Sequence, residues 1–303
     1  TDIYETTNGN EVTMSKIAIL TDSSCDIPQE MAEKYGIDIM SFHILLDDVD
    51  YVERESCTNT EFYDKMRLAK GVPSTAAITP IQFCEKYCQY VDEGYTDVIH
   101  VPINKSGSST YNNALMAQGM LREERPEHHM KIHLLDPHTY SMVFGWYLCE
   151  MARKLKNGAE ISHVIQEFEK QMNCMEIILG PYSLKQMKKS GRISAAAAVM
   201  GELMGVRPII TLIDGKTKVE SKVRGDDKVV PAMIELCKKR ADGVENFDYM
   251  IGHTNIKQAE DLEKACRKAF GKAPLVVFEL GGVVSANTGP DTVALVYTGH
   301  LRG

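Results

Sequence analysis

No run in this 303-residue sequence is long and apolar enough to span a bilayer, so no stable membrane insertion is expected. No Lys/Arg-rich stretch occurs, and the formal net charge is −8, so nucleic acid is not an expected partner. No secretory leader is visible, because the first twelve residues are polar and acidic; residues 1–13 read as a loose tail ahead of Met14. These absences predict a cytoplasmic protein. Metal-site spacing is missing as well. The eight cysteines are scattered, and the pair Cys84/Cys88, one turn apart on a helix face, has no second pair or matching histidine pattern. Buried free thiols and no metal are expected. Nucleotide motifs are also lacking. Gly-x-Gly-x-x-Gly is absent, and Gly215-Lys216-Thr217 has Ile210 where a phosphate loop needs its first glycine. Gly-x-Ser-x-Gly is absent too, and the sequence places none of His100, His138 and His253 beside Ser108; His128-His129 reads as an exposed loop pair. None of these motifs points to a catalytic residue or a cofactor.

What the sequence does contain is organised around one polar stretch, residues 103–114, Ile-Asn-Lys-Ser-Gly-Ser-Ser-Thr-Tyr-Asn-Asn-Ala. The apolar run Val98-Ile99-His100-Val101 leads into it and Pro102 stops that run, which suits a buried strand. Ala114, Leu115, Met116 and Leu121 then suit a helix. The hydroxyls of Ser106, Ser108, Ser109 and Thr110 so fall on a strand-to-helix turn, with Ser108 or Ser109 as N-cap. Such a turn offers unpaired N–H groups and the positive end of a helix dipole, and can hold an anion without a nearby cation. No Asp or Glu lies between Pro102 and Leu121 to repel one.

Strands and helices alternate up to Asn157-Gly158. This predicts a mostly parallel sheet flanked by helices over residues 14–157. Three of its strands would end in small polar groups: 21–24, 104–109 and 136–139. In such sheets ligands bind beyond the carboxyl ends of the strands. Residues 158–303 read as a second α/β domain with a mixed or antiparallel sheet, including a hairpin at Asp214-Gly215-Lys216. Arg192 stands apart from the other basic residues. It follows a glycine and precedes the small-residue helix that begins near Ala195, and a guanidinium there suits a planar anion or a partner.

Five short stretches in order, Thr21-Asp22-Ser23-Ser24, residues 73–80, Ser108-Ser109-Thr110-Tyr111, residues 184–194 ending in Gly-Arg-Ile-Ser, and Asn287-Thr288-Gly289-Pro290, make the chain resemble the DegV family of fatty-acid-binding proteins. The match runs over residues 16–298. The resemblance implies two α/β domains with one long-chain fatty acid between them. It implies that the carboxylate is held by Thr75 and Ser108, with Ser109, Asn287 and backbone N–H groups beside them. Ala195, Val199, Leu203, Met204 and Val283 would line the acyl chain, and Arg192 would lie near the exit. The family's role implies a separate fatty acid kinase as partner, which makes the acyl phosphate. The sequence departs from the family's pattern at Ala76, Ala77 and Ile78, at Ser109 for a glycine, at Asn287 for a frequent histidine, and at Asp291 for a glycine. An alternative reading is a hydrolase or phosphoryl-transfer enzyme using Asp22 and the strand-end serines.

Overall fold

In the computed structural model, which describes residues 3–8, 11–194 and 205–302, the apolar runs become the centres of two sheets. In chain order the elements are β1 (Ile3–Asn8), β2 (Glu11–Asp22), α1 (Gln29–Tyr35), β3 (Ile37–Met40), β4 (His43–Leu46), β5 (Val49–Val52), α2 (Asn59–Leu68), β6 (Ser74–Ala76), α3 (Pro80–Asp92) and β7 (Asp97–Val101). There follow α4 (Thr110–Glu124), β8 (Lys131–Leu134), α5 (Met142–Lys156), α6 (Ile161–Met172), β9 (Met175–Pro181), α7 (Lys185–Ser190), β10 (Val206–Ile213) and β11 (Lys216–Arg224). The chain closes with α8 (Val229–Arg240), β12 (Tyr249–His253), α9 (Ile256–Phe270), β13 (Val277–Glu279), α10 (Gly282–Thr288) and β14 (Thr292–Thr298).

Two compact units result. The first joins Thr1–Phe42 to Ala76–Met172, and the second joins His43–Thr75 to Asn173–Gly303. The sequence placed one boundary at Asn157-Gly158. The contacts divide the chain differently, for two reasons. Helix α6 packs on α5 and stays with the first unit, and residues 43–75 leave the first unit to pack with the second. The apolar stretch 37–46 accordingly breaks into β3 and β4, one in each unit.

In the first unit, β3, β7 and β8 run parallel to β2 in the order β3-β2-β7-β8. Leu20, Val98 and Ile99 are fully buried, as expected of parallel strands covered on both faces. Residues 3–8 do not form a loose tail: β1 pairs antiparallel with the start of β2, Ile3 opposite Lys16. Helices α3 and α4 pack against each other, as do α1 and α5. Helix α3 begins as its sequence demands, with Pro80 in its first turn and a reciprocal Thr79–Gln82 capping box. Helix α5 can approach the end of β2 only because residue 145 is glycine. A Cβ there would lie 2.3 Å from the Cys25 carbonyl oxygen.

In the second unit a six-stranded sheet runs β11-β10-β9-β14-β12-β13. Its pairings are antiparallel except β12 with β13. The hairpin turns at Asp214 and Gly215, both at positive φ, as a two-residue turn of that hand requires. Helices α8 and α9 cover one face through Val229, Met233, Cys237, Leu262 and Cys266. The segment 43–75 adds a three-stranded sheet, β5-β4-β6, and α2. Tyr63 and Arg67 of α2 donate to the carbonyls of Leu280 and Pro290, and Glu53 accepts from the Val283 amide at the head of α10. All the described cysteines are free.

Candidate functional site

The strand order of the first unit reverses between β2 and β7. The chain leaves β2 toward β3 on one side and later returns as β7 on the other. The carboxyl ends of β2 and β7 are therefore a topological switch point, where this class of sheet leaves a crevice. Two side chains from β2 shape it. Thr21 Oγ1 donates to the Val101 carbonyl at 2.7 Å. The fully buried Asp22 accepts from the Ile103 amide at 2.7 Å with one oxygen, and from the Ser24 amide and hydroxyl with the other. Asp22 so ties the exit of β7 to the turn after β2. Asp22→Ala should strand two buried amides, each costing about 1–3 kcal/mol, and lower stability by about 2–5 kcal/mol. Urea unfolding measures this; a loss near zero would contradict the bracing role.

The stretch after β7 is held from within. Asn104 Oδ1 accepts from the Ser106 amide at 2.8 Å and the Ser106 hydroxyl at 2.9 Å. Gly107 lies against Tyr140, whose hydroxyl would be 2.3 Å from an added Cβ. Burial pushes the Tyr140 phenol up, and a hydrogen bond with Ser106 acts the other way. Lys105 is paired with Asp136 at 3.3 Å. The turn itself carries no acid. The fold brings in Asp22 and Asp136 from neighbouring strands, and each is already engaged.

Helix α4 takes as its N-cap one of the two serines expected there. Ser109 occupies the N-cap position without a side-chain cap bond, and Ser108 Oγ accepts the Thr110 amide at 3.2 Å instead. The Thr110 hydroxyl is fully buried, and its hydrogen-bond partner among the described residues is Ser108 Oγ, at 2.8 Å. A buried hydroxyl proton without an acceptor costs about 1–3 kcal/mol, so Thr110 donates and Ser108 accepts. Both lone pairs of Ser108 Oγ are then taken. Its own proton is left for a third group, and that group must be an acceptor. Ser108 is half-buried and Ser109 is exposed, while the first-turn amides of Tyr111 and Asn112 precede any helical carbonyl that could accept from them.

Thr110 and Asn104 were not among the expected site residues. The Asn-x-Ser spacing of a local side-chain turn was a signal that could have found Asn104. Thr110 became visible only through its burial. Among histidines, His100 is a core residue: its Nδ1 meets the Tyr87 hydroxyl at 2.7 Å, and Phe83 packs on its ring at 4.9 Å. Burial drives its pKa down to about 3, so it stays neutral. Thr79, a hydroxyl of the stretch 73–80, is spent on the cap of α3.

The remaining expected residues lie in the second unit. Thr75 is half-buried on β6. Asn287 is half-buried on α10 and donates one amide hydrogen to the Val283 carbonyl at 2.8 Å, which leaves its second hydrogen. Val283 is buried. Arg192 is exposed, with its guanidinium on the Ser190 carbonyl. Ala195, Val199, Leu203 and Met204 lie outside the described residues. So Ser108 and Ser109 share one turn, and Thr75, Asn287 and Val283 share the other unit. Among the described residues no group of three His, Cys, Asp or Glu side chains could hold a metal ion, and no helix is long and apolar enough to cross a membrane.

A family model described as uncharacterised protein, DegV family, matches residues 16–299. The chain belongs to the DegV family. A DegV domain-containing protein of Clostridium perfringens is 28% identical over 94% of this chain and 99% of its own length. Among solved structures, a stearic-acid-binding protein of Eubacterium ventriosum superposes with a TM-score of 0.85 at 22% identity, covering 93% of this chain and 98% of that one. A fatty-acid-binding DegV family protein of Streptococcus agalactiae gives 0.81 at 26% identity, covering 94% and 99%. The two-domain α/β fold expected from the DegV motifs is thus the fold of solved family members.

Proposed function

We propose that this DegV-family chain binds one long-chain fatty acid and does not itself catalyse a reaction. The observation that carries the proposal is the Ser108 hydroxyl, which accepts the Thr110 amide and meets the buried Thr110 hydroxyl at 2.8 Å; with Thr110 as the donor of that pair, the Ser108 proton is left for an acceptor at the switch point. An ionised carboxylate is acceptor-only and suits it. Ser109 and the first amides of α4 supply further donors, and Thr75 and Asn287 are the proposed partners from the second unit. Val283, with Ala195, Val199, Leu203 and Met204, is proposed to meet the acyl chain. Fatty-acid binding by the Eubacterium and Streptococcus relatives supports the reading.

The energetics divide the labour. Burial of about fifteen methylenes at about 0.8 kcal/mol each is worth on the order of 10 kcal/mol, before several kcal/mol of association cost. A charge-assisted hydrogen bond adds about 1.5–3 kcal/mol. The tail sets affinity, and the hydroxyls set orientation and head-group choice. The enzymatic alternative would need Asp22 as its acid or base, but that carboxylate already braces the turn from full burial. The proposed partner is a fatty acid kinase that takes the bound acid as substrate, with Arg192 at the exit.

Native mass spectrometry of the chain purified from a bacterial host tests the central claim. A bound mass of a single long-chain acid is expected. Empty protein that also fails to take up added oleate would overturn it. Co-elution with a purified fatty acid kinase, lost in Arg192→Ala, is the corresponding result for the partner.

A further inference from the structure

Helix α3 carries two apolar stripes where its core needs one. Phe83, Tyr87 and Tyr90 are buried beneath it. Ile81, Cys84 and Cys88 lie on a different face, at the i, i+3, i+7 spacing of a helical stripe. They line a solvent-open groove of about 700 Å3 whose other wall is Met120 of α4. The two helices are tied together at both ends. Asn113 reaches the Ile78 carbonyl at 2.8 Å, and Arg125 meets Asp92 at 3.0 Å. Over the stripe from Ile81 to Asp92 the groove is about 16 Å long, three helical turns.

Its apolar surface is only partly covered by the chain: Cys84 lies buried at the bottom, and Cys88 and Met120 are half-buried. Ile81 and Met116 are each 61% exposed, and Met116 lies one turn before Met120 on α4. At Gly119 an added Cβ would meet nothing within 4 Å, so α4 is open on that side. Burial, and then the neighbouring Cys88, push the Cys84 thiol up to about 11. It stays protonated and serves as soft apolar floor rather than as a thiolate ligand.

The rim has one sign. Glu85, Asp92, Glu93 and Glu124 line the groove, against a single cation, Arg125. That cation is neutralised by Asp92, which takes both its Nε and Nη2 hydrogens. Lys86 of the same helix is occupied by Asp38 at 2.8 Å. Glu85 and Glu124 are exposed.

We infer that the α3–α4 groove docks an amphipathic helix of a partner protein, with an apolar stripe at i, i+4, i+7 flanked by Lys or Arg. The stripe fills the Ile81–Cys84–Cys88–Met120 floor, and the flanking cations meet Glu85, Glu93 and Glu124. This is the helix-in-groove mode of recognition, with adaptable sulfur-bearing side chains on the receiving side. It does not depend on fatty-acid binding.

The test uses the full chain and two fluorescein-labelled helical peptides that share a leucine stripe and differ only in Lys or Glu flanks. In fluorescence anisotropy at low salt the Lys peptide should bind at least about tenfold tighter than the Glu peptide, and the preference should shrink as salt is raised. The double substitution Glu85→Lys, Glu124→Lys lies on exposed positions and should abolish the preference without shifting the melting temperature. Met116→Ser with Met120→Ser should weaken the Lys peptide at any salt. Equal affinity of the two peptides, or an unchanged preference in the charge-reversed chain, overturns the inference. So does concentration-dependent self-association that the charge reversal removes, because the occupant would then be a second copy of the chain.

Discussion

Lowering the pH from about 7 to about 5 should cost the fold about 2 kcal/mol through His100 alone. The imidazole is fully buried on β7 between Phe83 and Tyr87. Burial holds its folded pKa at about 3, against about 6.5 in the unfolded chain. As pH falls, the unfolded state takes up the proton first. The contribution is therefore fully present above about pH 6.5, erodes between about 6.5 and 3, and is flat below. At about pH 5 the difference in proton uptake corresponds to roughly 1.5 pK units, or about 2 kcal/mol. His100→Gln can still accept the Tyr87 hydroxyl and cannot titrate. Denaturant unfolding of both proteins across this window should show the wild-type chain losing stability faster by that amount. Parallel pH profiles would mean that the histidine is not held neutral.

Ser108→Ala should erase most of the preference for a fatty acid over the alcohol of the same chain length. Removing one charge-assisted hydrogen bond corresponds to about 1.5–3 kcal/mol, or roughly 10–100-fold, and the loss should fall on oleate while oleyl alcohol is little affected. Thr110→Val tests the proton logic without touching the proposed ligand. It preserves shape and burial but removes the hydroxyl that fills one lone pair of Ser108. The Ser108 proton then has no fixed direction, and the acid-over-alcohol ratio should drop by roughly tenfold. Thr110→Ser restores the donor and should restore the ratio. A merely structural role for Thr110 would weaken both ligands equally. Thr75→Val added to Ser108→Ala should loosen head-group placement more than it lowers total affinity, visible as a displaced carboxylate in a crystal structure with oleate. No binding of either ligand to the wild-type chain would instead refute the binding function itself.

Much of the architecture could be read from short-range pattern. Strand β7 announced itself as four apolar or buried residues closed by Pro102, because a parallel strand covered on both faces must be apolar throughout. Helices α3 and α9 were readable from Pro80 and Asn255 at their starts and from the 3.6-residue apolar repeat. The turn at Asp214-Gly215 was readable because few residues tolerate positive φ in succession.

The order of chemical groups was thus in the sequence: a strand, a hydroxyl-rich turn without acids, a helix, and the five motifs that mark the family. Only the tertiary structure decided which of those hydroxyls was spent. Ser106 donated to Asn104, Thr79 capped α3, and Thr110 was buried against the Ser108 hydroxyl. Hydrogen-bond direction depends on burial and on distant partners such as Asp22 and Tyr140, and neither leaves a local mark. The unit boundary was hidden for the same reason. Residues 43–75 interrupt the first unit in sequence yet bury their apolar face, through Tyr63 and Phe62, within the second, and neighbours along a chain need not be neighbours in space.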